Sequence, residues 1–376
     1  MKYTAKSPAL LLLEDGTVFH GKSAGFQGIA TGELCFNTGM TGYQEIFTDP
    51  SYHGQLMVMA SVHIGNYGIK NDESESAKIH ISGLICRNLS TYTSRYSADM
   101  SVQEFLEGQK IVTITDLDTR AIVRHVRAKG AMNAIISSTE TDLEVLMKKL
   151  KATPSMEGLE LSSRVSTDKV YEWGEKDAPY RIAVLDVGVK YNTLRNLAAR
   201  ACYVKVFPWN TSFSEMQQWQ PDGYLISNGP GDPSVMQEVV KTVKAILDTK
   251  TPLFGICMGH QLLAEACGLK TFKMHHGHRG INHPVKNILT GHCEITSQNH
   301  GFAVNIDDID KHPEVQISHI NLNDHSVEGI RVPAYNAFSV QYHPEAGPGP
   351  HDSHYLFDDF LKLVHQYAGS NAVVQG

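Results

Sequence analysis

Apolar residues in this chain fall into short runs and helical stripes, and their rhythm changes along its length. Ala9-Leu10-Leu11-Leu12-Leu13 and Thr17-Val18-Phe19-His20 flank Asp15-Gly16. That pattern predicts a β-hairpin with a type I′ turn. Residues 25–68 are rich in Gly, Thr and Tyr, with Leu56-Met57-Val58-Met59-Ala60 as a buried strand. Gly, Asn, Asp and Pro between Phe36 and Tyr52 predict ordered loops, which are either plain turns or carriers of function. From Ile111 strand and helix patterns alternate. Ile111–Ile114 and Ala134–Ile136 read as strands; Asp116–Arg127 and Leu143–Leu150 read as helices, with Gly130 as a stop after the first.

Periodicity fades over residues 151–179 and returns as a parallel α/β signature. Arg181–Asp186, Tyr203–Phe207 and Tyr224–Ile226 are buried strands, and Asn192–Ala201 is a helix. Ser234 and Gln237 have capping-box spacing before a helix with Val239, Val243, Ile246 and Leu247 on one face. The expected organisation is an α/β chain in three parts. Residues 1–155 form an N-terminal α/β domain with hairpin elements, and 156–179 a linker. Residues 180–376 form an open, mostly parallel sheet flanked by helices.

Composition narrows the possibilities. The formal charge is −7, from 33 Lys+Arg against 40 Asp+Glu, which gives no support for binding nucleic acid or an anionic membrane. The first apolar run ends at Glu14-Asp15, too soon for a secretory signal, and no later run could span a bilayer. The 6 cysteines are scattered without a C-x-x-C pair, as expected of reduced thiols in a cytoplasmic protein. His275, His276, His278 and His283 match no zinc spacing and read as a structural loop, so no metal is expected.

One stretch carries the chemistry. Gly255-Ile256-Cys257-Met258-Gly259-His260-Gln261 joins an apolar run to a helical pattern that stops at Gly268. Gly-x-Cys-x-Gly has the logic of a nucleophile elbow, and the following helix dipole favours thiolate. The alternative is a buried cysteine in an ordinary strand–helix turn. A nucleophilic cysteine needs an imidazole and a group to orient it. His343-Pro344-Glu345, after the strand-like Ala337–Val340, offers both, although a surface turn fits it as well. Main-chain N–H groups at Gly229-Pro230-Gly231 and Met258 could meet an oxyanion. No phosphate-cradling motif is found, so no nucleotide is expected on this chain. Asn299-His300-Gly301-Phe302 reads as a polar loop ending a strand.

Taken together, Ser227-Asn228-Gly229-Pro230-Gly231-Asp232-Pro233, the Cys257 elbow and His343-Pro344-Glu345 resemble the class I (triad) glutamine amidotransferases. Phe36–Glu45, Thr48-Asp49-Pro50-Ser51-Tyr52, His63–Gly68, Asn282–Val285 and Gln298–Val304 resemble the small chain of carbamoyl-phosphate synthetase. The resemblance implies glutamine hydrolysis at Cys257, with His343 as base and Glu345 as its orienter. It implies oxyanion donors at Gly229 and Met258. It implies that Ser51, Gly231, Gln261, Asn299, Gly301 and Phe302 hold L-glutamine, with Ser51 lent by the first domain. It further implies a large synthetase chain as partner in a heterodimer, docked on the first domain. That partner would carry ATP and magnesium, and the product would serve arginine or pyrimidine synthesis. Met258, Gly39 and Tyr342 depart from the residues most usual in the family. The rivals are an amidotransferase subunit of another synthase and a non-catalytic regulatory subunit on the same fold.

Overall fold

A computed structural model describes residues 6–374, with side chains to residue 369; the outermost residues of the two expected domains lie outside it. Contacts divide the chain into two units, Met1–Met156 with His275–Gly280, and Glu157–Met274 with Ile281–Gly376.

The first unit is built on a closed barrel. Its strands run in the order Pro8–Leu13, Val18–Gly25, Val112–Thr115, Gly83–Ile85, Gln55–Met59, Ile29–Asn37 and Asn133–Ser137, and the last pairs back to the first. Alternation explains the leucine run near the start. Leu11 and Leu13 join Leu34, Leu56, Ile114 and Ile136 in one core, whereas Leu10 and Leu12 pack on Leu146 and Leu150 of helix Leu143–Lys151. A strand buried on both faces reads as a continuous apolar run. The hairpin forms, but with a different turn. Leu13 pairs with Thr17 across a three-residue loop, and in that loop only Gly16 has positive φ (88°). That is a type I turn closed by a left-handed glycine, not the expected type I′. The stretch expected as loops contains a helix, Tyr43–Thr48, and a 3-10 turn, Pro50–Tyr52.

The second unit centres on five neighbouring parallel strands: Cys202–Pro208, Tyr180–Asp186, Gly223–Ile226, Leu253–Ile256 and Ala337–Val340. Antiparallel strands extend the sheet past Ala337–Val340. Helices cover both faces. Val239, Val243, Leu262 and Leu263 pack on one side with Ala183 and Leu185; Leu194, Leu197, Phe357 and Phe360 pack on the other with Ile182 and Val184. Of residues 156–179, the expected linker, 157–179 group with this unit: Glu160 bridges to Gly231, and Tyr171–Trp173 pairs with Cys202–Pro208.

Three further expectations are corrected. Ser234 does not cap the helix Gln237–Asp248. It sits in a 3-10 turn, Pro233–Val235, whose cap is Asp232, because the Asp232 carboxylate takes both the N–H (2.9 Å) and the hydroxyl (2.7 Å) of Ser234. Asn299-His300-Gly301 is not a loop but lies inside strand Cys293–Val304. The four histidines occupy strand Thr271–Asn287 rather than a loop, and the His275 carbonyl accepts from the Ala131 N–H at 2.7 Å.

Phe254 is the packing centre beneath the cysteine. It is fully buried, stacks on Phe338 at 4.6 Å, and meets Phe357 and Phe360 at 5.8 Å each. Phe254→Ala should lower stability by roughly 3–5 kcal/mol. Chemical denaturation of the variant checks this, and an unchanged midpoint would show that the aromatic cluster is not the keystone of the sheet.

Candidate active site

Three adjacent parallel strands deliver the site from their carboxyl ends, the usual place for chemistry in such sheets. Gly223–Ile226 leads into the Gly229 loop, Leu253–Ile256 into Cys257, and Ala337–Val340 toward His343. Register sets Ile256 beside Val340, and the Cys257 N–H donates to the Val340 carbonyl at 2.9 Å.

Cys257 holds φ 52°, ψ −100°, a conformation non-glycine residues rarely adopt. Such strain costs on the order of 1–3 kcal/mol and persists only where the surroundings enforce it. Here they do. A Cβ on Gly259 would lie 2.2 Å from the Ile226 carbonyl oxygen, and one on Gly255 would lie 2.5 Å from the Gly259 oxygen. Helix Met258–Ala266 therefore sits too close to the sheet for any side chain at either glycine. The Gly259 N–H donates to the Ser227 carbonyl at 3.0 Å, tying the elbow to the loop on the neighbouring strand.

The thiol is buried, 3% exposed, and donates to the Asn299 carbonyl at 3.6 Å; the Gln341 side-chain amide approaches the sulfur at 3.7 Å. His343 and Glu345 are also buried, and His343 Nδ1 lies 2.7 Å from Glu345 Oε1. His343 Nε2 has no hydrogen-bond partner among the described residues. The same Glu345 oxygen receives Lys190 Nζ at 3.0 Å, and Lys190 itself is 2% exposed. Lys190 also donates to the Ala346 carbonyl, and Asn192 to the Glu345 carbonyl, fixing the backbone around the carboxylate.

Charge follows from this arrangement. Burial alone would lower the His343 pKa, but the charges of Glu345 and Cys257 outweigh it and hold the imidazole up at about 10. Burial alone would raise Glu345, but Lys190 and then His343 outweigh it and hold the carboxyl down at about 2.

The remaining expected residues fall in distinct places. The Gly229 and Met258 N–H groups are not spent on any partner among the described residues; Met258 opens its helix, where N–H groups lack intrahelical acceptors. Gln261 Nε2 donates to the Phe302 carbonyl (2.9 Å) and to Gln341 Oε1 (3.0 Å), so its amide is fixed. Gly231 packs against residues 159–161, where a Cβ would lie 2.6 Å from the Leu159 oxygen. Asn299, Gly301 and Phe302 share one strand, and Lys273 Nζ stands 5.0 Å from the Phe302 ring centroid. Ser51 belongs to the first unit, on the turn that Asp49 caps by accepting the Ser51 N–H at 2.9 Å. Tyr342 is fully buried, edge-on to His319 at 5.7 Å, and its hydroxyl donates to Glu294 at 3.3 Å.

Two residues of this network escape sequence reasoning. Lys190 is a lone cation just after a buried strand, and Gln341 is a lone amide two residues before the histidine. An ionisable or amide group embedded in an apolar run is the only local signal for either.

Comparison with known proteins agrees with the geometry. Residues 183–363 match the family model described as Glutamine amidotransferase class-I, and residues 11–136 match Carbamoyl-phosphate synthase small chain, CPSase domain. A carbamoyl phosphate synthase small chain from a Synechococcus species is 47% identical, over 97% of this chain and 95% of its own length. One from Chlorobaculum tepidum is 47% identical over 95% and 98%. One from Photorhabdus laumondii is 43% identical over 96% and 97%.

The charge network makes a pH signature. The stabilisation from His343 is complete below 6.5 and is lost as pH rises through about 10. That from Glu345 is complete above 4.5 and is lost as pH falls through about 2. The stability gap between wild type and Glu345→Gln should therefore be widest between pH 4.5 and 6.5 and narrow toward both extremes. Urea titrations across pH measure it; a gap that stays constant into the alkaline range would show that His343 gains nothing from the carboxylate. Matching both family models and its relatives along nearly its whole length, the chain belongs to the carbamoyl-phosphate synthase small chain family, with a class I glutamine amidotransferase domain.

Proposed function

We propose that Cys257, His343 and Glu345 hydrolyse L-glutamine in this chain. The observation that carries the reading is the His343 ring: Nδ1 is bonded to the buried Glu345 carboxylate, and Cys257 acts on the same ring through charge and hydrogen bonding. The thiol proton resides on His343, whose raised pKa holds it there, and the Cys257 sulfur attacks the side-chain carbonyl carbon of glutamine as thiolate. The oxyanion accepts from the Gly229 and Met258 N–H groups. The imidazolium then protonates the departing nitrogen, the C–N bond breaks, and ammonia leaves a γ-glutamyl thioester. A raised His343 pKa suits a group that must hold a proton for that step. Water next attacks the thioester while His343 accepts its proton. The C–S bond breaks, and His343 returns a proton to sulfur. The balance is glutamine and water to glutamate and ammonia.

Ser51, Gly231, Gln261, Asn299, Gly301 and Phe302 hold the glutamine in this reading. The fixed Gln261 amide is suited to positioning a substrate. As a member of its family the chain is the glutaminase subunit of a carbamoyl-phosphate synthetase and supplies ammonia through its amidotransferase domain. Its partner is a large synthetase chain that makes carbamoyl phosphate from ammonia, bicarbonate and ATP. That chain carries ATP and magnesium, and the first unit of this one docks on it. Among the described residues no helix is long and apolar enough to cross a membrane, in keeping with work in the cytoplasm.

Cys257→Ala tests the division of labour. The complex should lose glutamine-dependent carbamoyl phosphate synthesis and keep its rate with ammonium salt. Retained glutamine-dependent synthesis would remove Cys257 as nucleophile; loss of both activities in a folded, bound complex would refute the split between chains. Ser51→Ala should raise KM for glutamine with little change in kcat, since one hydrogen bond contributes about 0.5–1.5 kcal/mol. Unchanged glutamine kinetics would confine Ser51 to folding or docking.

A further inference from the structure

We propose that an arginine-lined cleft on the first unit seats an acidic, partly apolar segment of the synthetase chain; this rests on the function proposed above. The cleft is about 650 Å³, and Arg87, Arg120, Arg124 and Arg127 line it together with Val62 and Val123. Three of the arginines come from helix Thr119–Lys129 at i, i+4 and i+7, one stripe of its surface. Ile122 and Val126 bury the opposite face in the barrel core, so the stripe cannot turn inward.

All four arginines are exposed. Among the described residues Arg120, Arg124 and Arg127 make no ion pair, and the Arg87 guanidinium donates only to the Leu117 carbonyl, at 3.2 Å. The one carboxylate lining the cleft, Asp118, caps the helix by accepting the Ala121 N–H at 2.9 Å. Like charges at i and i+4 weaken a helix. This concentration also stands in a chain whose formal charge is −7. The unpaired stripe is a cost to the isolated chain that an anionic occupant removes.

The shape selects the occupant. Arg120 to Arg127 spans about 10 Å along the helix axis, longer than one phosphate group. The floor is apolar, and Val62 is 52% exposed beside it. Arginine around an exposed apolar floor is the composition of a protein interface, not of a small-anion pocket. Paired charges of this kind speed association and make it salt-dependent.

The experiment uses the full chain and the synthetase chain of the same organism, with affinity measured by calorimetry at several salt concentrations. Arg120→Glu/Arg124→Glu should weaken association by about tenfold or more at low salt. It should leave the glutamine turnover of the chain alone unchanged, which also reports on folding. Arg124→Gln/Arg127→Gln should weaken binding less and flatten its salt dependence; if the reversal variant fails to fold, this neutral variant decides. Equal binding by wild type and variants overturns the inference and leaves the proposed function standing. The same holds if the variants lose only the binding of inorganic tripolyphosphate, which would mark a small-anion site. Failure of the wild-type chain to bind the synthetase or to couple glutamine to it overturns the proposed function, and this inference with it.

Discussion

The site depends on a charge chain buried from end to end. Lys190, Glu345 and His343 are each at most 2% exposed, and the carboxylate oxygen is shared by both cations at 3.0 and 2.7 Å. Taking such groups out of water costs several kcal/mol per ion, and the pair recovers it only when geometry and hydrogen bonds are good. Removing one member leaves an uncompensated buried charge, commonly a loss of about 3–5 kcal/mol. Lys190 therefore does more than neighbour Glu345 and His343. It keeps Glu345 ionised in an environment that would otherwise favour the neutral acid, and an ionised Glu345 in turn accepts from His343 Nδ1 and orients the ring.

A charge chain of this kind needs a rigid frame, and the frame is steric. Glycines 255 and 259 let the elbow helix approach the sheet to backbone contact, and that approach holds Cys257 at positive φ. The neighbouring parallel strands then leave little freedom. The Cys257 N–H is tied to Val340, Gly259 to Ser227, and the Val187 N–H to the Ser227 hydroxyl at 3.0 Å. A thiol, an imidazole and two N–H donors without a partner among the described residues come from three adjacent strand ends, so no long loop has to be ordered to assemble them. The entropy of arranging the reacting groups is met when the sheet folds.

What could be read from the sequence follows from what is local. The elbow lies within seven consecutive residues, and His343-Pro344-Glu345 within three, so both could be recognised before any fold was known. The five central parallel strands are short, mostly apolar runs and were equally plain. Lys190 and Gln341 were not, because their partners lie 155 and 84 positions away and nothing in their neighbours announces it. Barrel closure was hidden for the same reason: Leu11 pairs with Ile136 across the whole unit. The errors of detail were contests between neighbours. Asp232 takes both the N–H and the hydroxyl of Ser234, so that hydroxyl does not cap the helix, and the Gln237 amide is left to the Ser234 carbonyl at 2.9 Å. Asn299 and Gly301 have loop composition but sit in a strand, where pairing overrides propensity.

The Glu345 network and the arginine stripe treat charge in opposite ways. In the second unit Lys190 and His343 are buried and share the Glu345 carboxylate, so salt screens the local field little. In the first, the arginine stripe is exposed and unneutralised, which gives a field that reaches outward and is screened by salt. Catalysis asks for the first arrangement, because electrostatic stabilisation works best with water excluded and partners already in place. Recognition of another chain asks for the second, because a field that is already satisfied cannot steer anything. Helix Thr119–Lys129 meets that demand by burying Ile122 and Val126 on the barrel and turning its guanidiniums to water. The same division between an apolar stripe and a polar one that marks an amphipathic helix in the sequence becomes, in the fold, a division between stability and association.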